Sequence, residues 1–358
     1  MTARHTALCP SCMTACEDGE RCPRCGGSLH RENPSFLLPV GAVLRRPGLP
    51  PCHGYEIGAA LGQGGFGVTY AGRDEAEGRR VAVKEYFPAR CAKRGEDGIT
   101  VVPLPGMEET YEGGRYSFVK EARVLSGLEG MPSVVQALAY LETNNTAYLV
   151  MEYLDGTPLH RLVDPKAGKR ISPETLLPPL KNLLYDIGRL HEKKVIHRDI
   201  APDNIMWMPD GSLKLLDFGS ARSMEDGKSM TVMLKHGFAP VEQYQSHGQG
   251  TYTDVYAMAA TIYYCLTAVA PAQSTERLLG DARLKRPREL GVALTPEEED
   301  ALMAGLEVLP QARPQTMGEF ARRLFPDLSA PEPVPEPAPV PAARPGLWRR
   351  LLAWLRGR

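Results

Sequence analysis

Residues 195–207 read Val195-Ile196-His197-Arg198-Asp199-Ile200-Ala201-Pro202-Asp203-Asn204-Ile205-Met206-Trp207, and after a Pro209-Asp210-Gly211 turn the chain continues into Leu215-Leu216-Asp217-Phe218-Gly219. Apolar residues on both sides of a Pro-Asp-Gly turn predict a hairpin. Its ends carry the chemistry. Asp199 is a carboxylate, a residue type able to accept or orient a proton, Asn204 and Asp217 offer the hard oxygen donors that a small divalent cation prefers, and glycine at 219 permits a backbone turn beside them.

Upstream, Gly62-Gln63-Gly64-Gly65-Phe66-Gly67 matches G-x-G-x-x-G. The pattern alone is weak, because dinucleotide-binding folds share it. There the loop opens a helix. Here Val68-Thr69-Tyr70-Ala71 follows, which is strand-like, then a polar turn and a second strand from Arg80 to Tyr86 that carries Lys84. In residues 117–128, Phe118, Ala122 and Leu125 recur on one helical face, and Glu121 sits in the same stretch. The residues between Lys84 and that helix read as a Gly- and Pro-rich insertion without legible chemistry.

Taken in order, the glycine loop, Lys84, the His197-Arg198-Asp199 segment with Asn204, and Asp217-Phe218-Gly219 resemble the protein kinase family over about residues 55–325. The likeness is strongest to bacterial serine/threonine kinases that carry a zinc ribbon. It implies an α+β, two-lobed fold: a β-rich small lobe at about 54–153 and a helical large lobe at about 154–328. It also implies ATP and Mg²⁺, with a protein as phosphoryl acceptor. Lys84 would neutralise the α- and β-phosphates and pair with Glu121; Asp199 would serve the acceptor hydroxyl; Asn204 and Asp217 would hold Mg²⁺. Leu61, Gly62, Gly64, Gly65, Gly67, Thr69, Ala82, Met151, Glu152, Leu154 and Met206 would line the nucleotide site, the backbone at Glu152 and Leu154 meeting the adenine edge. Glu242 would pair with Arg313, and Asp254 would brace the catalytic loop.

Two positions depart from the family pattern. Ala201 stands where serine/threonine kinases normally present a lysine to the γ-phosphate, and Lys235 stands where many have a threonine. Lys235 is therefore expected to supply the missing cation. Tyrosine kinases often have alanine at 201, but they do not follow it with Pro202-Asp203. The competing expectation is a catalytically weak or inactive nucleotide-binding scaffold, with Ala201 in its favour. Among the hydroxyls between Asp217 and Glu242, Thr231 is the expected autophosphorylation site, its phosphate docking on Arg198.

The flanks differ in composition. Five of the eight cysteines fall in residues 9–25. Cys9, Cys12, Cys22 and Cys25 form two C-x-x-C knuckles able to close a tetrahedral structural Zn²⁺ site, with Cys16 a fifth ligand candidate or a spare thiol. A segment of 28 residues cannot bury enough apolar surface to fold alone, so metal would supply its folding energy. Residues 1–28 thus resemble a zinc ribbon, and the proline-rich residues 29–53 read as a linker that leaves ribbon and kinase domain (54–328) separable. Residues 329–346 read as a Pro-rich linker: seven prolines in residues 331–345 favour an extended rod. In the tail, 347–358, Trp348, Leu351, Leu352 and Leu355 repeat at helical spacing opposite arginines, which predicts an amphipathic helix for a membrane surface or a partner.

Composition narrows the field further. A formal net charge of −1 gives no polyelectrolyte basis for nucleic-acid binding. The N-terminus lacks an apolar secretory core, and no apolar run is long enough to span a bilayer, so a reducing cytoplasm is the expected setting, with peripheral membrane contact through the tail.

Overall fold

The computed structural model describes residues 7–326, apart from 18, 46–52, 66, 219–221, 224–233 and 246–247. The expected rod, tail helix, Thr231 and Gly219 lie outside the described residues.

The cysteine-rich segment opens with the short antiparallel pair β1 (Ala7–Leu8) and β2 (Ala15–Cys16). Between them the first knuckle turns through Met13, which has φ +54° and is buried.

Residues 33–45 correct the linker expectation. Leu37, Leu38 and Leu44 are buried in the main core, and β3 (Val43–Arg45) pairs antiparallel with β4 (Gly54–Gln63). A three-residue strand among prolines carries too little alternation to be recognised from sequence. Its pairing exists only because β4 offers an edge.

β4, β5 (Gly67–Asp74) and β6 (Arg80–Tyr86) form the antiparallel meander that the glycine loop predicted. After β6, the insertion folds as a hairpin, β7 (Ala92–Arg94) with β8 (Val101–Pro103). Helix α1 (Glu108–Ser126) follows, then β9 (Ala137–Thr143) and β10 (Thr146–Glu152), completing a six-stranded sheet in the order β3-β4-β5-β6-β10-β9. α1 starts at Glu108, ahead of the expected start at residue 117, because Gly113 and Gly114 interrupt the pattern. Gly114 is needed there: a Cβ on it would collide with the Tyr86 hydroxyl.

The large lobe contributes β11 (Thr157–Pro158), α2 (Leu159–Leu162) and α3 (Pro173–Glu192), then β12 (Val195–Ile196), β13 (Ile205–Trp207) and β14 (Leu213–Leu215). The predicted hairpin is β13–β14, with Ile205 opposite Leu215. α3 buries Leu176, Leu180, Leu183, Ile187 and Leu190, spaced on one helical face. Helices α4 (Thr251–Thr267), α5 (Ser274–Leu279), α6 (Pro296–Gly305) and α7 (Met317–Leu324) complete the lobe. α4 is buried along nearly its whole length and is the large lobe's axis. No helix among the described residues is long and apolar enough to cross a membrane.

Candidate active site

The period of two along β6 divides its side chains between faces. Ala82, Lys84 and Tyr86 line a cleft of about 860 Å³ between the lobes, whereas Val81, Val83 and Glu85 face the other side of the sheet and are fully buried. Glu121, from α1, brings its Oε1 to 3.6 Å from Lys84 Nζ, and Asp217 Oδ1 lies at 2.5 Å from the same nitrogen. Burial opposes the charge on Lys84, but the two carboxylates outweigh it and raise the ammonium pKa above its ordinary value. Burial raises Glu121 to about 7 in spite of Lys84.

The catalytic-loop segment is held from beneath. Asp254 of α4 accepts the backbone N–H groups of His197 and Arg198, both at 2.8 Å, and lies 2.8 Å from His191 Nε2. Burial penalises this carboxylate, yet the bonds from His191 and the backbone hold its pKa below the usual range. Arg198 is thereby fixed at φ +69°. His197 reaches across to the Leu216 carbonyl at 2.9 Å and packs edge-on against Phe218, 4.6 Å between ring centres. These contacts fasten the loop to the segment bearing Asp217, which itself has φ +52°, an uncommon conformation for a non-glycine residue. Further out, Glu242 and Arg313 form the expected buried pair, with two bonds of 2.6 and 3.0 Å.

Asp199 projects into the cleft. Asn204 Nδ2 donates to both its carbonyl and its Oδ2 at 2.8 Å, which leaves the Asn204 amide oxygen as a donor for a hard cation. Lys235 Nζ sits 3.0 Å from Asp199 Oδ1 and 3.1 Å from Asp203 Oδ1. Burial raises the Asp199 carboxyl pKa, and Lys235 opposes that rise. Asp203, used in the sequence only to tell the loop from that of tyrosine kinases, was given no role in the site. The only available signal was its place in the same loop, and its pairing depends on a residue 32 positions away.

Every sequence-nominated nucleotide residue lines this one cleft: Leu61 and the glycines of the loop, Thr69 and Ala82 on the sheet, Met151 to Leu154 on the connector, and Met206 on β13. Glu152 uses its side chain elsewhere, accepting from Lys214 Nζ at 2.6 Å and Gln136 N–H at 2.9 Å. A Cβ built on Gly62 or Gly64 would meet nothing within 4 Å, so packing does not demand glycine at either position. Their bareness leaves a cradle into which a phosphate chain fits. The cleft thus has a cationic side at Lys84, a carboxylate at Asp199, and further oxygen donors at Asn204 and Asp217.

The cysteine cluster forms a second centre. The Sγ atoms of Cys9, Cys12, Cys22 and Cys25 all lie within 4.8 Å of one another, with Cys9–Cys25 and Cys12–Cys22 both at 3.7 Å. A tetrahedral Zn²⁺ with bonds of about 2.3 Å needs sulfur–sulfur edges of about 3.8 Å, so the donor set is compatible with zinc. Cys16 stays outside the four, 3.5 Å from Cys22.

A protein kinase domain model matches residues 55–299, and the chain belongs to that family. It is 31% identical over 232 residues to serine/threonine-protein kinase D of Synechocystis, covering 61% of this chain and 42% of that protein. It is 30% identical over 232 residues to serine/threonine-protein kinase PknA of Nostoc, covering 61% and 38%. The chain therefore spans less than half the length of these curated relatives. A solved structure, the apo form of PpkA-294, superposes with TM-score 0.67 at 33% identity, over 80% of this chain and 99% of that one. Protein kinases in general use ATP and Mg²⁺ and act on protein substrates.

Proposed function

We propose that this chain is an ATP-dependent protein kinase that phosphorylates serine or threonine hydroxyls. The observation that carries the reading is the convergence of Lys84, Glu121 and Asp217 with Asp199 and Asn204 in one cleft under a glycine loop. The curated relatives, named as serine/threonine kinases, support the choice of acceptor.

In this reading the acceptor oxygen attacks the γ-phosphorus, the bond to the β-phosphate bridging oxygen breaks, and ADP leaves. Asp199 orients the hydroxyl and takes its proton. Lys84 exchanges Asp217 for the α- and β-phosphates while Glu121 keeps it in position. Asn204 and Asp217 would hold Mg²⁺, which supplies charge neutralisation at the phosphates. Lys235 brings a cation to the side of Asp199 where the buried Ala201 has none, and we assign it to the γ-phosphoryl oxygens. Cys9, Cys12, Cys22 and Cys25 are assigned one structural Zn²⁺, and the 347–358 tail a peripheral docking role on an anionic membrane surface.

Purified full-length protein with Mg²⁺ and γ-labelled ATP, beside Asp199→Asn, tests the main claim. Label on serine or threonine in the wild type alone is expected, with sites mapped by mass spectrometry, Thr231 among them. Equal labelling by Asp199→Asn, or none by either, overturns it.

A further inference from the structure

The ribbon is not tethered at a distance from the cleft; it is built onto the cleft's rim. β4 leads directly into the glycine loop, and its pairing with β5 shifts register at Ile57–Ala60 and again at Ala60–Gly62. A register shift leaves backbone groups without their ladder partners. Here those groups are taken by the N-terminal segment. Ala59 N–H donates to the carbonyl of Pro10, inside the first knuckle, at 2.6 Å. Asn33 spans the same stretch, accepting from Ala60 N–H at 2.9 Å and donating to the Gly58 carbonyl at 3.0 Å. Gly58 is bare because Pro10 and the Met13 sulfur occupy the space a Cβ would need.

The second knuckle reaches the other edge of the cleft. Arg24, between Cys22 and Cys25, forms an ion pair with Asp155, the residue after Leu154 on the connector. Arg80, at the start of β6, meets the same carboxylate at 3.3 Å and stacks over Tyr153 at 4.7 Å. One small unit therefore touches both the strand that aims the glycine loop and the connector that would hold the adenine. Its own hydrophobic cluster consists of Cys9, Cys12, Cys16 and Cys22 with Leu29 packed alongside, too little to order it without a metal.

We propose that the ribbon is a positioning part of the nucleotide site: with its metal bound, the Pro10–Met13 turn and Arg24 hold β4 and the connector in register, so that nucleotide affinity depends on the metal. This rests on the reading of the cleft as an ATP site. It replaces the expectation of a separable ribbon, because removing the ribbon strands the Ala59 N–H, and a cut beyond Asn33 also strands the Gly58 carbonyl and the Ala60 N–H. Coupling of this kind is reciprocal, and bound nucleotide tightens metal binding by the same factor.

The test uses the full chain with Mg²⁺ and the fluorescent nucleotide mant-ADP, and reads affinity, zinc content and hydrogen exchange. Wild type is compared with Cys9→Ser/Cys12→Ser, with Arg24→Ala, and with wild type stripped of zinc and then reloaded. The stripped protein and the double variant are expected to bind mant-ADP about five-fold or more weakly, the reloaded protein as before. Arg24→Ala keeps zinc and loses roughly two- to five-fold, the scale of one exposed ion pair. Exchange should rise in residues 54–63 while α4 stays protected. Zinc-free protein whose affinity stays within about two-fold of wild type, with residues 54–63 unchanged, overturns the proposal. So does exchange that rises equally in α4, which would mean general destabilisation. Failure of wild type itself to bind mant-ADP would sink the ATP-site reading instead.

Discussion

Lys84 and Glu85 are neighbours on one strand, and their surroundings are opposites. Glu85 is completely buried, and each of its carboxylate oxygens accepts two bonds: Oε1 from Arg94 at 2.8 Å and Tyr148 at 3.0 Å, Oε2 from Arg94 at 2.7 Å and Tyr70 at 2.9 Å. Lys84 instead stands between two carboxylates. One, Glu121, is 3.6 Å away, and its nearer oxygen has no hydrogen bond among the described residues. The Glu85 carboxylate is saturated and fully buried, so it has nothing left to offer a ligand, although Arg94 Nε beside it finds no partner among the described residues. The Lys84 cluster holds unspent electrostatic capacity, which a phosphate chain and a cation can use. A structural carboxylate and a reactive one can thus be told apart by how fully their oxygens are bonded, even when they serve adjacent positions of one strand.

The sharpest way to break this contrast is to remove charge from the reactive side. Lys84→Met and Asp217→Ala should each lower phosphoryl transfer by about 100-fold or more, since both act on charge developing at the phosphates. Thermal melting should scarcely move. Wild-type-like turnover by either variant would remove the functional half of the comparison.

On the saturated side the effect should fall on stability. Arg94→Met strands Glu85 in the core with only two tyrosine hydroxyls, and breaking a buried pair in this way costs about 3 kcal/mol or more. A denaturant midpoint equal to wild type would show that the β7–β8 hairpin carries no structural load. Per folded molecule, turnover should change much less than in the Lys84 variant.

Lys235→Ala should have a smaller catalytic effect, about ten-fold in kcat with KM for ATP little changed, because its contact is expected to strengthen in the transition state. An effect on KM alone would assign it to ground-state binding. The smallest expected effect is a pH limb. Burial raises Glu121 to about 7, so the acid neutralises on the way down from that pH and no longer pairs with Lys84. kcat/KM for ATP should therefore rise as pH increases through about 7 and then level off. Glu121→Gln should lose that limb while retaining any contribution from Asp199. A wild-type profile flat between roughly pH 6 and 8 would contradict the raised value.

What the sequence by itself determined was the chemistry and the order of its parts. Cysteine spacing, the glycine loop followed by a strand, and the Asp199–Asn204–Asp217 series all lie within short windows, where local geometry ties residue type to role. Thus the cleft's residues were nameable before any contact was known. Tertiary structure decided the pairings between distant positions. Glu85 looks like an ordinary strand-end glutamate until Arg94 folds back on it, and the Lys235–Asp203 contact depends on how a loop returns to the cleft. The ribbon's place was equally illegible. Pro10, Asn33 and Gly58 carry no shared pattern; they are joined by backbone groups that a register shift leaves unpaired, and hydrogen bonds of that kind leave no mark on side-chain identity beyond one bare glycine and one asparagine.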